Sequence, residues 1–226
     1  MIVGNGMIAK SFSKYYIDPD VVIFASGVSN SQEVNSSEFL REKKMLEYYV
    51  KDINHLVYFS TTSIYDESLK ETFYVKHKID VENYIKLNFK SYNIFRLPNV
   101  IGDSSNSSTL IKFLYNKIKN GESIDVFSNA CRYILDVEDL AFIVTEIIKF
   151  KFFKNEVVNV SLSSSAKIIE IISILEECLG LKANKMIVDK GNCYDIDNNK
   201  LKHFLSKIDY KIQNNYISTT IKKYYK

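Results

Sequence analysis

Cysteine, proline and tryptophan are all scarce. The chain holds three cysteines, two prolines and no tryptophan. The cysteines, Cys131, Cys178 and Cys193, are odd in number and form no Cys-x-x-Cys pair, which argues against a disulfide framework or a zinc site. No metal centre is expected. No apolar run approaches the ~20 residues that a membrane span needs, so no membrane attachment is expected. Blocks of like charge are short, such as Lys43-Lys44 and Lys222-Lys223, although the net charge is +3. Nucleic-acid binders concentrate their basic residues on a stripe or tail, so nucleic acid is not an expected partner. Internal repeats and low-complexity linkers are missing too. Met1 leads directly into an apolar strand without a signal-peptide pattern, which together with the cysteines sets the expectation of a cytoplasmic, reduced protein.

What is present is ordinary core-forming material. The 226 residues are 46% apolar and 25% charged, which suits one large domain or one domain with a small lobe and excludes disordered or fibrous classes. Sixteen tyrosines and 14 phenylalanines reflect a compositional skew toward Lys, Asn, Ile, Tyr and Phe, not a binding feature.

Apolar periodicity orders the chain. Residues 1–4 read as a short buried strand, Gly4-Asn5-Gly6 as a breaker, and 7–16 as a helix. The continuous apolar run Val21–Ala25 fits a strand buried on both faces. A helix from Ser36 or Ser37 to about Lys51 follows, then a buried strand 56–59 ending in Ser60-Thr61-Thr62-Ser63. Further on come a helix at 74–89, a strand at 92–97 stopped by Pro98, and a helix opened by Ser108 or Thr109 and ending before Gly121. A helix at 137–150, a strand at 157–162 and a helix at 166–179 stopped by Gly180 complete the reading. Strands alternating with helices imply βαβ units and a parallel sheet covered on both faces, an α/β fold.

Three groups of residues could carry chemistry. Gly4-Asn5-Gly6-Met7-Ile8-Ala9 lies between a strand and a helix, where a glycine turn lets backbone approach a pyrophosphate; a purely structural turn fits as well. Tyr74 and Lys78 stand at i and i+4 on one helix face. An adjacent ammonium favours the phenolate and brings proton transfer by a tyrosine within reach, while a surface pair on an amphipathic helix is the plainer alternative. Ser60-Thr61-Thr62-Ser63 ends a buried strand, where open parallel sheets bind ligands and where Ser and Thr also serve as caps.

Taken in order, these segments resemble the extended short-chain dehydrogenase/reductases, the NAD-dependent epimerase/dehydratase family. Phe59-Ser60-Thr61-Thr62-Ser63-Ile64-Tyr65 and Tyr74-Val75-Lys76-His77-Lys78 are similar to its active-site segments. Arg96-Leu97-Pro98-Asn99-Val100-Ile101-Gly102 resembles its R-x-x-N-V-x-G segment, and Arg132 to Ala141 its R-x-x-x-x-V-x-D-x-A segment. The match spans about residues 1–165. It implies a Rossmann-like doubly wound parallel sheet over 1–165, parts of 99–135 facing the substrate, and a small C-terminal substrate lobe over 166–226. It also implies NAD or NADP as cofactor, a nucleotide-sugar substrate and a homodimer formed by the helices at 37–51 and 74–89, with Phe39, Leu46, Ile79 and Ile85 as the apolar residues invoked. By resemblance, Tyr74 is the acid–base, Lys78 binds the nicotinamide ribose and lowers the Tyr74 pKa, and Thr61 completes the catalytic set. Gly4, Gly6, Met7, Ile8, Ala25, Ser60, Lys78 and Pro98 fall to the cofactor. Thr62, Asn99 and Arg132 fall to the substrate, with Arg132 on the diphosphate.

Three departures narrow the reading. Thr62 and Ser63 stand where the family's dehydratases carry Asp-Glu, and neither can act as a carboxylate, which removes dehydration. The Tyr65–Tyr74 connection is only eight residues long. Between the glycine turn and Val21 only Lys10–Asp20 intervenes, so Val21–Ala25 resembles the family's fourth strand, and the residue that would read the adenosine ribose is not identifiable. The expected activity is reduction of a nucleotide-linked 4-keto-6-deoxy-sugar. A 4-epimerase that retains NAD tightly is the runner-up, and an inactive nucleotide-sugar binder the third.

Overall fold

A computed structural model describes residues 1–49, 53–103 and 109–226. In chain order the elements are β1 (Ile2–Val3), α1 (Met7–Ser11), β2 (Val21–Phe24), α2 (Ser36–Tyr49), β3 (His55–Thr61), a 3-10 turn (Thr62–Tyr65), α3 (Phe73–Asn88), β4 (Tyr92–Leu97), β5 (Asn99–Ile101) and α4 (Leu110–Lys119). They continue with β6 (Ser123–Phe127), β7 (Cys131–Arg132), β8 (Ile134–Asp136), α5 (Val137–Lys149), β9 (Glu156–Asn159), β10 (Ala166–Lys167), α6 (Ile168–Leu179), β11 (Asn184–Val188), α7 (Asn199–Lys207) and α8 (Tyr216–Tyr224).

Five strands form the central sheet in the order β1-β2-β3-β4-β9, every neighbouring pair parallel. The apolar runs in β2, β3 and β4 dictate central positions, because such strands must be covered on both faces. Alternation divides their side chains. Val22, Phe24, Leu56, Tyr58 and Ile94 face α2 and α3, whose Leu46, Val81 and Ile85 cover them. Ile23, Val57, Phe59 and Phe95 face the other way, onto Phe12 just after α1, Leu140, Ile143 and Val144 of α5, and Leu201, Phe204 and Leu205 of α7. A separate apolar cluster joins Ile111, Leu114 and Ile118 of α4, Ile124 and Val126 of β6, Ile171, Ile172 and Leu175 of α6, and Ile221 of α8. Beside it, β6 pairs with β11 in parallel.

The α/β, doubly wound, Rossmann-like fold with a reduced strand number is therefore observed. β1 pairs directly with β2, Ile2 opposite Ile23 and Val3 opposite Phe24, so the first strand is a sheet edge. The main strands and helices fall where periodicity put them, but α1 stops at Ser11, five residues short of the expected end. The Ser11 hydroxyl donates to the Ile8 carbonyl at 2.7 Å, a local bond that competes with helix continuation. Lys51 and Ser108, named above as helix limits, lie outside the described residues. The strands of the pairings β5–β8 and β7–β10 are two or three residues long, too short to show a period. The helices α7 and α8 are not among the expected elements, although Leu201, Phe204 and Leu205, and Ile217, Ile221 and Tyr224, stand at helical spacing.

The cysteine expectation needs correction. Cys131 and Cys193 form a disulfide across 62 residues, with Cα atoms 4.7 Å apart, and Cys178 is free. An odd count leaves room for one pair. The pair is formed because the segment after β11 runs back beside β7, where the Cys131 N–H donates to the Asn192 carbonyl at 3.3 Å. The dimer argument also changes: Leu46 and Ile85 are fully buried against the chain's own sheet, leaving Leu40, Tyr48, Phe73, Ile79 and Leu87 as the exposed apolar residues of α2 and α3. Among the described residues, no helix is long and apolar enough to cross a membrane, and no group of three or more metal-ligating side chains is assembled.

Candidate active site

Because the sheet is parallel, β1, β2, β3, β4 and β9 all end on one edge, and their following loops share it. At the first of these ends Gly4 has φ +125°, and a Cβ there would stand 2.5 Å from the Ala25 carbonyl oxygen, so only glycine allows the turn to pass so close to the end of β2. Beside Gly6, which precedes α1, a Cβ would meet nothing within 4 Å. The turn thus presents exposed backbone toward open space, a shape that accepts a pyrophosphate. Met7 and Ile8 continue it as half-buried side chains, and Ala25 and Pro98 are half-buried at the ends of β2 and β4.

The hydroxyls ending β3 are engaged by the protein. Ser60 donates to Glu82 at 2.7 Å. Thr61 accepts from the Ser63 N–H and donates to the Ser63 hydroxyl, both at 3.0 Å, so it caps the 3-10 turn. Thr62 is buried and reaches the Leu97 carbonyl at 3.4 Å. Glu82 also receives the Arg96 guanidinium at 2.8 and 2.7 Å, and Arg96 donates to Tyr65 at 2.9 Å.

Thr72 caps α3 with its hydroxyl on the Val75 N–H, which sets Tyr74 in the first turn and Lys78 one turn later. Tyr74 is 7% exposed, packed with Val28 and Val75, and its hydroxyl bonds to no described residue. Lys78 is 2% exposed. Its ammonium donates to Glu42 at 3.1 Å, Tyr58 at 2.9 Å and the Phe59 carbonyl at 3.4 Å, so its three N–H groups all meet protein acceptors.

On the substrate side, the Asn99 amide donates to the Tyr133 carbonyl at 3.2 Å. Arg132, on β7, donates to the Cys131 carbonyl at 2.7 Å and stands 3.4 Å from the Asp66 carboxylate. Asp66 is 1% exposed, and its Oδ2 has no hydrogen-bond partner. Tyr194, next to the disulfide, lies beside Thr62 and Arg132; burial pushes its phenol up while those two side chains oppose the shift. Asn159 and Asn198 tie residues 197–198 to the end of β9, donating to the Asp197 and Ser161 carbonyls at 2.7 and 2.8 Å. The 194–198 segment therefore crosses the same edge as the other candidates.

The profile of the NAD dependent epimerase/dehydratase family matches residues 8–161. The chain belongs to this family. No curated protein matches it. Among solved structures, UDP-glucose 4-epimerase of Thermus thermophilus in complex with NAD is similar at 15% identity, covering 90% of this chain and 76% of that one, with a TM-score of 0.69. The Bordetella bronchiseptica enzyme WbmH in complex with NAD+ gives 17% identity, 91% and 74% coverage and a TM-score of 0.73. UDP-glucuronic acid 4-epimerase of Bacillus cereus, in complex with UDP-glucuronic acid and NAD, gives 18%, 91%, 74% and 0.68. At these identities the likeness is one of fold.

Within this epimerase/dehydratase frame, two residues that sequence reasoning passed over stand beside those it named: Glu42 and Asp66. Glu42 carried a readable signal, since it lies three residues after Phe39 and four before Leu46, on the inward face of α2. Tyr194 belongs to the expected substrate lobe over 166–226 and comes beside Thr62 from 132 residues away along the chain.

Proposed function

We propose that the chain is an NAD(P)H-dependent reductase of a nucleotide-linked 4-keto-6-deoxy-sugar. The observation that carries this reading is the common position of the Gly4–Gly6 turn, the end of β3 and the Tyr74–Lys78 turn of α3 on one sheet edge, in a member of a nucleotide-sugar enzyme family. Gly4, Gly6, Met7 and Ile8 would hold the pyrophosphate through backbone, with Ala25, Ser60 and Pro98 lining the rest of the cofactor; Lys78 would reach its ribose only by giving up one of its three protein acceptors. A bound nicotinamide supplies the hydride. Tyr74, whose hydroxyl has no described partner, donates its proton to the sugar's carbonyl oxygen. Thr61 exchanges its Ser63 bond for the same oxygen, and Asn99 and Thr62 border the sugar. Residues 166–226 act as a substrate lobe through the 194–198 segment, and the homodimer forms through α2 and α3.

Arg132 is assigned to the diphosphate. Arg132→Ala is expected to raise KM for the sugar nucleotide by about 10- to 100-fold, the worth of a charge-assisted contact, with the cofactor KM nearly unchanged. Arg132→Lys separates the loss of charge from the stranding of Asp66. An unchanged KM would return Arg132 to a structural role on Asp66.

Cofactor discrimination is expected to be poor. β1 is the sheet edge, and among the described residues no strand lies beyond it to carry the residue that ordinarily reads the ribose. The ratio of kcat/KM for NADH and NADPH on one keto-sugar should stay within about tenfold, under 1.4 kcal/mol. A hundredfold preference would mean that a loop or a second subunit supplies the contact.

A 4-epimerase is the second reading, favoured by the NAD-bound 4-epimerases among the structural neighbours. The absorbance spectrum of the purified protein separates the two. Co-purified NAD with interconversion of 4-epimers supports the epimerase; an empty site that reduces keto-sugar with added NADPH supports the reductase. Ligand binding without either activity would leave an inactive binder.

A further inference from the structure

The carboxylate of Glu42 is fully buried, yet four donors surround it. Oε1 accepts from the Tyr58 hydroxyl at 2.5 Å and from Lys78 at 3.1 Å. Oε2 accepts from the Val28 N–H at 2.7 Å and from His77 Nε2 at 2.9 Å. An ionised carboxylate only accepts, so His77 carries its proton on Nε2; its ring lies against Phe39, with centroids 4.6 Å apart. Gly27 closes the pocket, since a Cβ there would come within 2.7 Å of the Lys78 ammonium and 2.8 Å of Glu42. Lys78 meets Glu42 from α2 and Tyr58 from β3, and His77 of α3 shares the Glu42 carboxylate. Tyr74 and Glu82 of α3 act on the Tyr58 phenol beside it, with Glu82 itself bound by Ser60 and Arg96.

We propose that Glu42 is a positioning residue acting through Lys78: its carboxylate keeps the lysine an ammonium in a pocket closed to water, so that Tyr74 and not Lys78 is the group that exchanges a proton. This rests on the reading of Tyr74 and Lys78 as the working pair. A buried lysine without a counter-charge sheds its proton far below its ordinary range. A neutral amine at Lys78 would neither favour the Tyr74 phenolate nor hold a fixed orientation. Glu42 prevents this because it is itself locked as an anion. Burial alone would raise its carboxyl; the Lys78 charge and the bonds from His77, Tyr58 and the Val28 N–H outweigh that and hold it far below the usual carboxylate range. Tyr58 stays protonated, since burial and the neighbouring Glu42 charge push its phenol well up, and it therefore remains a donor to Glu42. Removing the negative charge lowers the proton affinity of every coupled group. It acts most on Lys78, in direct contact at 3.1 Å.

The test is a titration of the whole protein labelled with [15N]lysine, followed by NMR, with the Lys78 Nζ signal identified by its loss in Lys78→Met. The wild-type Lys78 titration is the reference. In Glu42→Gln Lys78 is expected to lose its proton at least about two pH units lower, with partial rescue in Glu42→Asp. The alkaline limb of kcat for keto-sugar reduction should move down with it. An unshifted Lys78 titration in Glu42→Gln overturns the inference. If Glu42→Gln does not fold, Glu42→Gln/Lys78→Met, which removes both charges, is expected to fold. Its failure overturns the inference too, because Glu42 would then be serving Val28, Tyr58 and His77 alone. A shifted titration in a protein that turns over no keto-sugar would sink the proposed function and leave the hold of Glu42 on Lys78 standing; turnover with an unshifted titration would do the reverse.

Discussion

Tyr74→Phe is expected to cut turnover by about 10²–10⁴-fold, the usual contribution of a general acid–base group. The substitution keeps the ring, which packs between Val28 and Val75, and removes only an oxygen that bonds to no described residue. Folding and the affinities for cofactor and sugar should therefore change little, and the loss should fall on kcat with KM nearly constant. The geometry makes the comparison clean, because no donor or acceptor among the described residues is stranded when the hydroxyl goes. Steady-state kinetics on a nucleotide-linked keto-sugar decide it: a variant that keeps more than a tenth of the wild-type rate would remove Tyr74 from the proton-donor role. Equilibrium binding of NADPH to the same variant checks that the site is otherwise intact.

Phe204→Ala is expected to destabilise the protein by about 3–5 kcal/mol, the range for truncating a buried aromatic. Phe204 is 0% exposed, and its ring meets Phe152 and Phe153 edge-on at 5.1 and 5.9 Å. Those two phenylalanines lie in the connection from α5 to β9, where Lys151, Phe153 and Asn155 all adopt positive φ. Two carbonyls of that connection, those of Phe152 and Phe153, accept from the Asn93 amide of β4 at 3.2 and 2.6 Å. α7 therefore clamps a strained turn that aligns the last strand of the sheet. Neighbouring side chains cannot fill the space without moving that turn, which puts the expected cost toward the upper end of the range. For a chain of this size the melting temperature should fall by about 2–4 °C per kcal/mol. A loss under about 1 kcal/mol in urea unfolding would mean that α7 is not part of the cooperative unit formed by the sheet.

The sheet was legible in the sequence because its signals are local. Runs such as Val21–Phe24 and Leu56–Phe59 are apolar without interruption, and only burial on both faces accommodates that. The short interval between Gly6 and Val21 also foretold that β1 would lie directly against β2. The i, i+4 spacing of Tyr74 and Lys78 and the order of the motifs were likewise enough to identify the family.

The surroundings of those residues were decided by contacts that no local pattern encodes. Glu42 sits in a helix rich in charge, and only the closing of α2 over β3 and α3 turns it into a buried anion shared by Lys78, His77 and Tyr58. Asp66 becomes the partner of Arg132, and Tyr194 that of Thr62, when the segment tethered by Cys131–Cys193 folds back across the strand ends. Thr61 and Ser60 carry hydroxyls suited to a ligand, and the fold commits them to Ser63 and Glu82. By itself, then, the sequence determined the main strands and helices, the family and the identity of the candidate pair, since hydrophobic period and motif spacing are properties of neighbours along the chain. Which acid neutralises Lys78, which cysteines pair and which residues crowd the substrate side were decided by tertiary structure, because burial and charge pairing depend on distance in space, and 36 residues separate Glu42 from Lys78.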